Sequence, residues 1–326
     1  MSKSPEMIWL DALDSEERGD RKMALSKAKS VIELDDKHAD AWMAIARLNL
    51  PNITRGKQMM PDLKQSSIAL SALKKVVTLD PDNKLAWELG GTLLIDHLGM
   101  LEHGLEWWED YRLHAPYDVT PLVEQIGILA RLGYYDDCKY KLEELFSEEM
   151  DAPANQQLLR MQSVRSMVAK AAKMEPSDIF KPQDPKNPRW EIIGRMKNRK
   201  PITETFFLLT FIAPIVFILG TIAMNAFGGT TAGSVAVFLL ILFLFASINR
   251  FSSGLLNNLN RHALDLDRAI DFELTSGKIC IPEDTRNSKL YRSMLKPRTP
   301  ALKERLDIIV NTDEKLSKNW MLKISN

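Results

Sequence analysis

Two stretches decide how most of this chain folds: IELDDKHADAW at residues 32–42 and TLDPDNKLAW at 78–87. Each runs from an apolar residue through Leu-Asp and a polar turn to Ala-Trp. Self-similarity of this kind marks a chain built from stacked helical units, none of which can bury its apolar face alone. The two tryptophans, Trp42 and Trp87, fix the register from which the rest of the first 174 residues can be read.

That register resembles the tetratricopeptide repeat, a helix–turn–helix unit of 34 residues. Its pattern asks for a large residue at position 4, small ones at 8 and 20, bulky ones at 24 and 27, and Pro near 32. The unit at about 84–117 supplies Trp87, Gly91, Leu94 and Trp107, with His103 in place of the usual small residue. The unit from Ala39 supplies Trp42 and Ala46, then Ala69, Leu73, Val76 and Pro81, with eleven residues inserted near PNITRGKQMMPD at 51–62. A first unit at about 5–38 offers Ile8, Ala12, Gly19, Ala24, Ala28 and Val31, with Asp36 where Pro would sit. A fourth, at about 119–152, offers Leu122, Gly133, Cys138, Leu142 and Leu145. Small residues at 8 and 20 let paired helices approach, and the large ones fill the space between units. An open stack needs a cap, and 154–174 suits it, with Leu158, Met161, Val164, Val168 and Ala171 at helical spacing. The expected fold is all-α: a helical solenoid over 1–174.

The resemblance implies that a peptide or protein partner lies in a groove formed by the first helix of each unit. Positions facing it fall on Trp9 and Leu13 (with Glu6), on Asp40, Met43 and Arg47, on Leu85, Glu88 and Thr92, and on Val123 (with Thr120). The Lys and Asn set by which some relatives clamp a C-terminal carboxylate is missing there, so that ligand class is not expected. Each of these residues also has a plain alternative as solvated surface.

From Thr205 through Asn249 there is no charged residue. One straight helix over that run would reach roughly 68 Å, about twice the hydrocarbon core of a bilayer. The run must break, and Gly228-Gly229 supplies the place. Two antiparallel apolar helices, about 204–226 and 231–250, are therefore expected as a transmembrane hairpin. Arg189, Arg195, Lys197, Arg199 and Lys200 precede it, Arg250 and Arg261 follow it, and the turn carries no base. The positive-inside rule then puts both ends of the hairpin in the cytoplasm, with the cell membrane as the expected location. The start, MSKSPEMIWL, lacks the apolar core of a signal peptide. Pro214 should bend the first helix. Gly229 and Gly233 form a GxxxG that suits close approach, within the hairpin or with a second copy of the chain.

The chain carries 43 basic and 43 acidic residues, unevenly placed. Residues 1–174 are net −6 and 250–326 are net +4. An acidic repeat domain argues against nucleic acid. Residues 175–203, with Pro176, Pro182, Pro185, Pro188 and Pro201, read as a basic, stiff linker over anionic lipid, with Trp190 at the interface. Residues 251–326 read as a cytoplasmic tail with two amphipathic helices, one through Leu255, Leu259, Ala263, Leu266 and Ile270, one at 301–311. Their stripes require a partner: each other, the repeats, or another subunit.

Little in the sequence points to chemistry. Phosphate-loop, dinucleotide, nucleophile-elbow and HExxH patterns are lacking, and His97 and His103 are spaced too far apart for a helical metal pair. Neither a catalytic centre, a metal nor a cofactor is expected. The expected function is a membrane-anchored scaffold recruiting a protein partner; the alternative is an assembly subunit of a larger membrane complex, held by the hairpin and C-terminal helices.

Overall fold

The structure is a computed structural model describing residues 4–54, 57–175 and 178–324. It divides into two compact units, one of residues 1–185, 268–281 and 297–326, the other of 186–267 and 282–296.

The first unit is built from helical pairs: α1 (Pro5–Glu17) with α2 (Arg21–Leu34), then α3 (Ala39–Asn49) with α4 (Leu63–Leu79). A third pair follows, α5 (Lys84–Thr92) with α6 (Leu101–His114), and a fourth, α7 (Val119–Leu132) with α8 (Tyr135–Leu145). Each helix packs on the next, and α9 (Asn155–Ala171) closes the series against α7 and α8. The pairs coincide with the repeats read from the sequence.

Local chemistry explains the joints. Asp20, His38, Asp62, Asn83 and Asp118 each cap the helix that follows them by accepting a backbone N–H. The repeated tryptophans share a device: Trp42 Nε1 donates to Asp36 O and Trp87 Nε1 to Pro81 O, both at 2.8 Å. In both cases the ring reaches back six residues and ties helix to turn. Close approach is bought by glycine in the third pair. A Cβ on Gly90 would sit 2.3 Å from the Trp107 ring, and one on Gly91 2.3 Å from the Trp108 ring. The inserted segment between α3 and α4 carries a two-residue antiparallel pairing, β1 (Ile53–Thr54) with β2 (Lys57–Gln58). Arg55 of the inserted segment lies outside the described residues, as does Pro176 of the linker.

The second C-terminal stripe finds its partner on the same chain; of the first, Ala263, Leu266 and Ile270 are buried while Leu255 and Leu259 stay exposed. Helix α14 (Arg261–Ser276) starts in the second unit and ends in the first, whereas α17 (Pro300–Thr312) lies wholly in the first and packs on α4. Ala301, Leu302, Leu306 and Ile309 of α17 are buried. Charged staples hold these segments. Arg131 Nε and Nη2 bind the Asp271 carboxylate at 3.1 and 2.9 Å, and Arg298 reaches it at 3.3 Å. Glu273, fully buried, accepts the N–H groups of Cys280 and Ile281 at 2.7 and 2.8 Å. Arg268 lies under Gly133, the left-handed glycine ending α7, donating to Arg131 O at 3.1 Å and to Tyr135 Oη at 2.7 Å.

In the second unit, α10 (Pro188–Met196) replaces part of the expected spacer. Pro188 stands at its first turn, where a missing N–H costs nothing. Trp190 and Ile193 are buried, so Trp190 is a packing residue instead of an exposed anchor. Arg189 and Asp265, both largely buried, form an ion pair with Nε to Oδ2 at 2.7 Å. A continuous helix runs from α11 (Glu204–Phe207) through a π-helical turn at Leu208–Ile212 into α12 (Ala213–Phe227). The widened turn falls where the Pro214 ring would otherwise meet a carbonyl one turn back. After a short turn, α13 (Thr231–Leu259) packs against α12, with Ile241 over Gly220. Asn260 closes the pair: its Nδ2 donates to Ile202 O at 2.8 Å and its Oδ1 accepts from Ile202 N at 2.9 Å. Two short helices, α15 (Glu283–Arg286) and α16 (Lys289–Leu295), complete the unit.

Among the described residues one helix, Glu204–Phe227, is long and apolar enough to cross a membrane; Thr231–Phe243 is a shorter apolar stretch. The side chain of Arg250, one of the flanking bases, lies outside the described residues. A Cβ on Gly233 would strike the Phe227 carbonyl, so the turn itself uses that glycine, whereas Gly229 faces open space.

Candidate functional site: a groove across the third and fourth helical pairs

Two adjoining cavities in the first unit, about 480 and 830 Å³, share Glu88, Thr120, Glu124 and Arg160 and form one continuous groove. Helix α5 and the π-helical turn after it, Leu93–His97, supply Glu88, Thr92, Ile95 and Asp96. Helix α7 supplies Thr120, Glu124, Ile128 and Arg131, and α9 supplies Gln157 and Arg160. The π turn matters for position. Its wider ring, with Leu98 N donating to Leu93 O at 2.9 Å, rotates the end of the helix and places Ile95 and Asp96 on the groove.

The floor is apolar and the rim is charged. Trp108, Ile95 and Ile128 form the floor, and the Trp108 indole N–H is buried with no acceptor among the described residues. On the rim, Arg160 pairs with Glu124 at 2.6 Å and lies across Gly127, where a Cβ would come within 2.3 Å of its Nη2. Lys84 pairs with Asp118 at 2.7 Å, and Tyr111 Oη donates to the same carboxylate at 3.1 Å. Burial pushes the Asp118 pKa up, but the bonds from Lys84 and Thr120 outweigh it and hold the carboxyl below its usual range. Burial, with Asp118 beside it, raises the Tyr111 phenol well above its ordinary value. Both groups keep their charge state across the physiological range. The groove thus offers a small apolar floor within a mostly polar lining of fixed charged groups, a shape that can seat a polypeptide segment.

The structure gathers some of the sequence-predicted residues and disperses others. Glu88, Thr92 and Thr120 line the groove. Trp9 packs at a tilt against His38 with ring centroids 5.1 Å apart, Met43 packs on the core, and Arg47 is held by Glu16 through both carboxylate oxygens. Leu13, Asp40 and Leu85 are exposed without joining it. Val123 is a correction: it is 1% exposed and belongs to the core. Val123 and Glu88 each stand five residues after the cap of their helix, Asp118 and Asn83. On α7, which α6, α8 and α9 all pack against, an apolar side chain at that place is drawn inward. Glu124, the next residue, lines the groove in its stead. Asp96, Glu124, Arg131 and Arg160 were missed. The readable signal was polar residues at 156, 157 and 160 interleaved with the apolar stripe of α9.

The described residues contain no group of three or more His, Cys, Asp or Glu arranged to hold a metal ion. Cys138 is buried, and burial pushes its thiol up to about 12, which suits a packing residue.

No protein-family model matches the chain. Over 170 residues, about half of the chain, it is 26% identical to tetratricopeptide repeat protein 37 of Xenopus laevis. The matched part is 10% of that relative's length, so the chain spans only a small share of the protein it resembles. The paired helices and the reused tryptophan tie agree with this distant, partial similarity to a tetratricopeptide repeat protein.

Proposed function

We propose that this protein is a membrane-anchored interaction scaffold whose groove across α5, α7 and α9 takes a segment of a protein partner at the cytoplasmic face of a membrane, expected to be the cell membrane. The observation that carries the reading is the groove itself: an apolar floor of Trp108, Ile95 and Ile128 inside a rim of fixed ion pairs. Anchoring rests on Glu204–Phe227, with α13 as the second crossing of a hairpin whose two ends face the cytoplasm. Exposed apolar side chains of Glu204–Phe227, Phe217 and Ile222 among them, support that reading.

The test is purification of the tagged full chain from native membranes in mild detergent, with Glu88→Lys and Thr92→Arg in a parallel preparation. Both positions are exposed, so the fold should survive. A stoichiometric partner present with the natural groove and absent from the variant supports recruitment. A partner that ignores the groove changes removes this reading.

The outward apolar face of α12 favours one other reading, an assembly subunit of a larger membrane complex. Phe217 and Ile222 are exposed there, as are Phe206 and Phe211 in the turns just before it, and all could meet the helices of a neighbour as well as lipid. The interface would then be the hairpin alone, because the stripe of α17 is spent on α4. Gly229 is the remaining small residue open to a second copy. Loss of the partner on replacing this face, with the groove intact, would decide for it.

A further inference from the structure

On a different face of the first unit, α4, α17 and the turn after the π-helical segment enclose a cleft of about 480 Å³. Its floor holds Arg305, whose guanidinium Nη1 donates to Leu98 O at 2.7 Å. Among the described residues no carboxylate pairs with this guanidinium and its other N–H groups have no protein acceptor. The Leu98 carbonyl stands at the end of a helix, where the backbone offers only a partial negative charge. Burial alone lowers the Arg305 pKa to about 10, the mark of a cation without a counter-charge. Arg305 is half-buried, and its bond to a neutral carbonyl leaves its full charge without a carboxylate partner among the described residues. Glu304, the nearest acid in sequence, accepts the Leu63 N–H at the edge of the cleft at 3.3 Å and is not among the residues that line it.

The rest of the wall matches an anion. Lys74 and Ser71 of α4 line the cleft with Arg305, and no acidic residue is among its lining. Ser67 gives its hydrogen to Leu63 O, whereas Ser71 makes no such bond. Beside these groups run Leu63, Leu70, Leu98 and Met100. We propose that this cleft is an anion site for a phosphate monoester with an apolar body, its phosphate held by Arg305, Lys74 and Ser71. Two cations and a hydroxyl suit a group near −2 better than a carboxylate, and the leucines and Met100 suit a carbon body. A lipid headgroup and a soluble ester share this chemistry. The inference is independent of the groove reading, since it uses none of the groove's residues.

The experiment is calorimetric titration of the full chain in detergent with phenyl phosphate, inorganic phosphate, benzoate and dihexanoyl phosphatidic acid. Phenyl phosphate or the short-chain lipid should bind saturably, one per chain, and benzoate at least about tenfold more weakly. Lys74→Ala with Ser71→Ala should weaken binding by about tenfold, Arg305→Met should abolish it, and Lys75→Ala, an exposed neighbour, should leave it unchanged. If Arg305→Met fails to fold, the Lys74 and Ser71 pair decides, because both positions are exposed. Tighter binding of the lipid than of phenyl phosphate assigns the site to a headgroup, and the reverse to a soluble ester. No saturable binding, equal binding of benzoate, or an equal loss in Lys75→Ala overturns the proposal and leaves Arg305 as a helix-end cap only.

Discussion

The two units solve the problem of apolar surface in opposite ways. In the repeat unit most large apolar residues are inside; Arg160–Glu124 and Lys84–Asp118 tie helices at the surface, and Arg131 and Arg298 share the buried Asp271 carboxylate. In the hairpin the small side faces in, through Gly220 and Val216, while Phe217 is 75% exposed. The same residue types give a water-soluble face in one and an outward apolar face in the other. What differs is the position of polar groups: charged pairs cover much of the repeat unit, whereas the apolar helix 204–227 leaves large apolar side chains exposed.

The largest expected effect breaks a staple. Asp271→Ala leaves the Arg131 and Arg298 guanidiniums without their shared buried carboxylate, and it should cost about 3–5 kcal/mol in denaturation of the full chain in detergent. Next comes a charge on the hairpin's outward face. Phe217→Arg should lower membrane insertion of Glu204–Phe227 by about 2.5–3.5 kcal/mol in a translocon assay. A face that met water instead would tolerate the change within about 0.5 kcal/mol.

Smaller effects test the packing of the repeats. Gly91→Ala should cost about 1–3 kcal/mol, because the new methyl would come within 2.3 Å of the buried Trp108 ring and force it to shift. Thr92→Ala, beside it but exposed, should cost almost nothing, and comparing their thermal midpoints checks the assignment. The weakest effect is pH-dependent. Burial lowers the pKa of His97 below its ordinary 6.5, so on acidification the unfolded chain takes up its proton first. Stability of the repeat unit should therefore fall as pH drops through 6.5, and His97→Gln should flatten that slope. A slope unchanged in the variant would mean that His97 is not responsible.

Much of this was legible in the sequence because it depends on local residue chemistry. Trp42 and Trp87 reported the helix joints, Gly91 the close crossing, and the charge-free run the apolar helix. Val123 was misread because its burial depends on three helices converging on α7, which no pattern within one repeat encodes. The function of α9 in the groove was hidden for the same reason: Arg160 looks like cap surface until Gly127 and Glu124 are brought opposite it. Trp190 looked like a membrane anchor because proline density suggested an extended spacer, but Pro188 at a first turn starts a helix as readily as it stops one. The stripe of α17 announced that it needed a partner, and only the folded chain shows that α4 is that partner.

The account's central claim is that the groove holds a partner while the chain is in the membrane. The most direct test places a photo-crosslinking residue at Thr92, in the groove, and separately at Leu113, exposed on α6 outside it. Both chains are irradiated in native membranes. The account predicts one discrete adduct from position 92, none of that mass from 113, and a chain that alkaline carbonate does not extract. Equal adducts from both positions, or a chain released by carbonate, would contradict it.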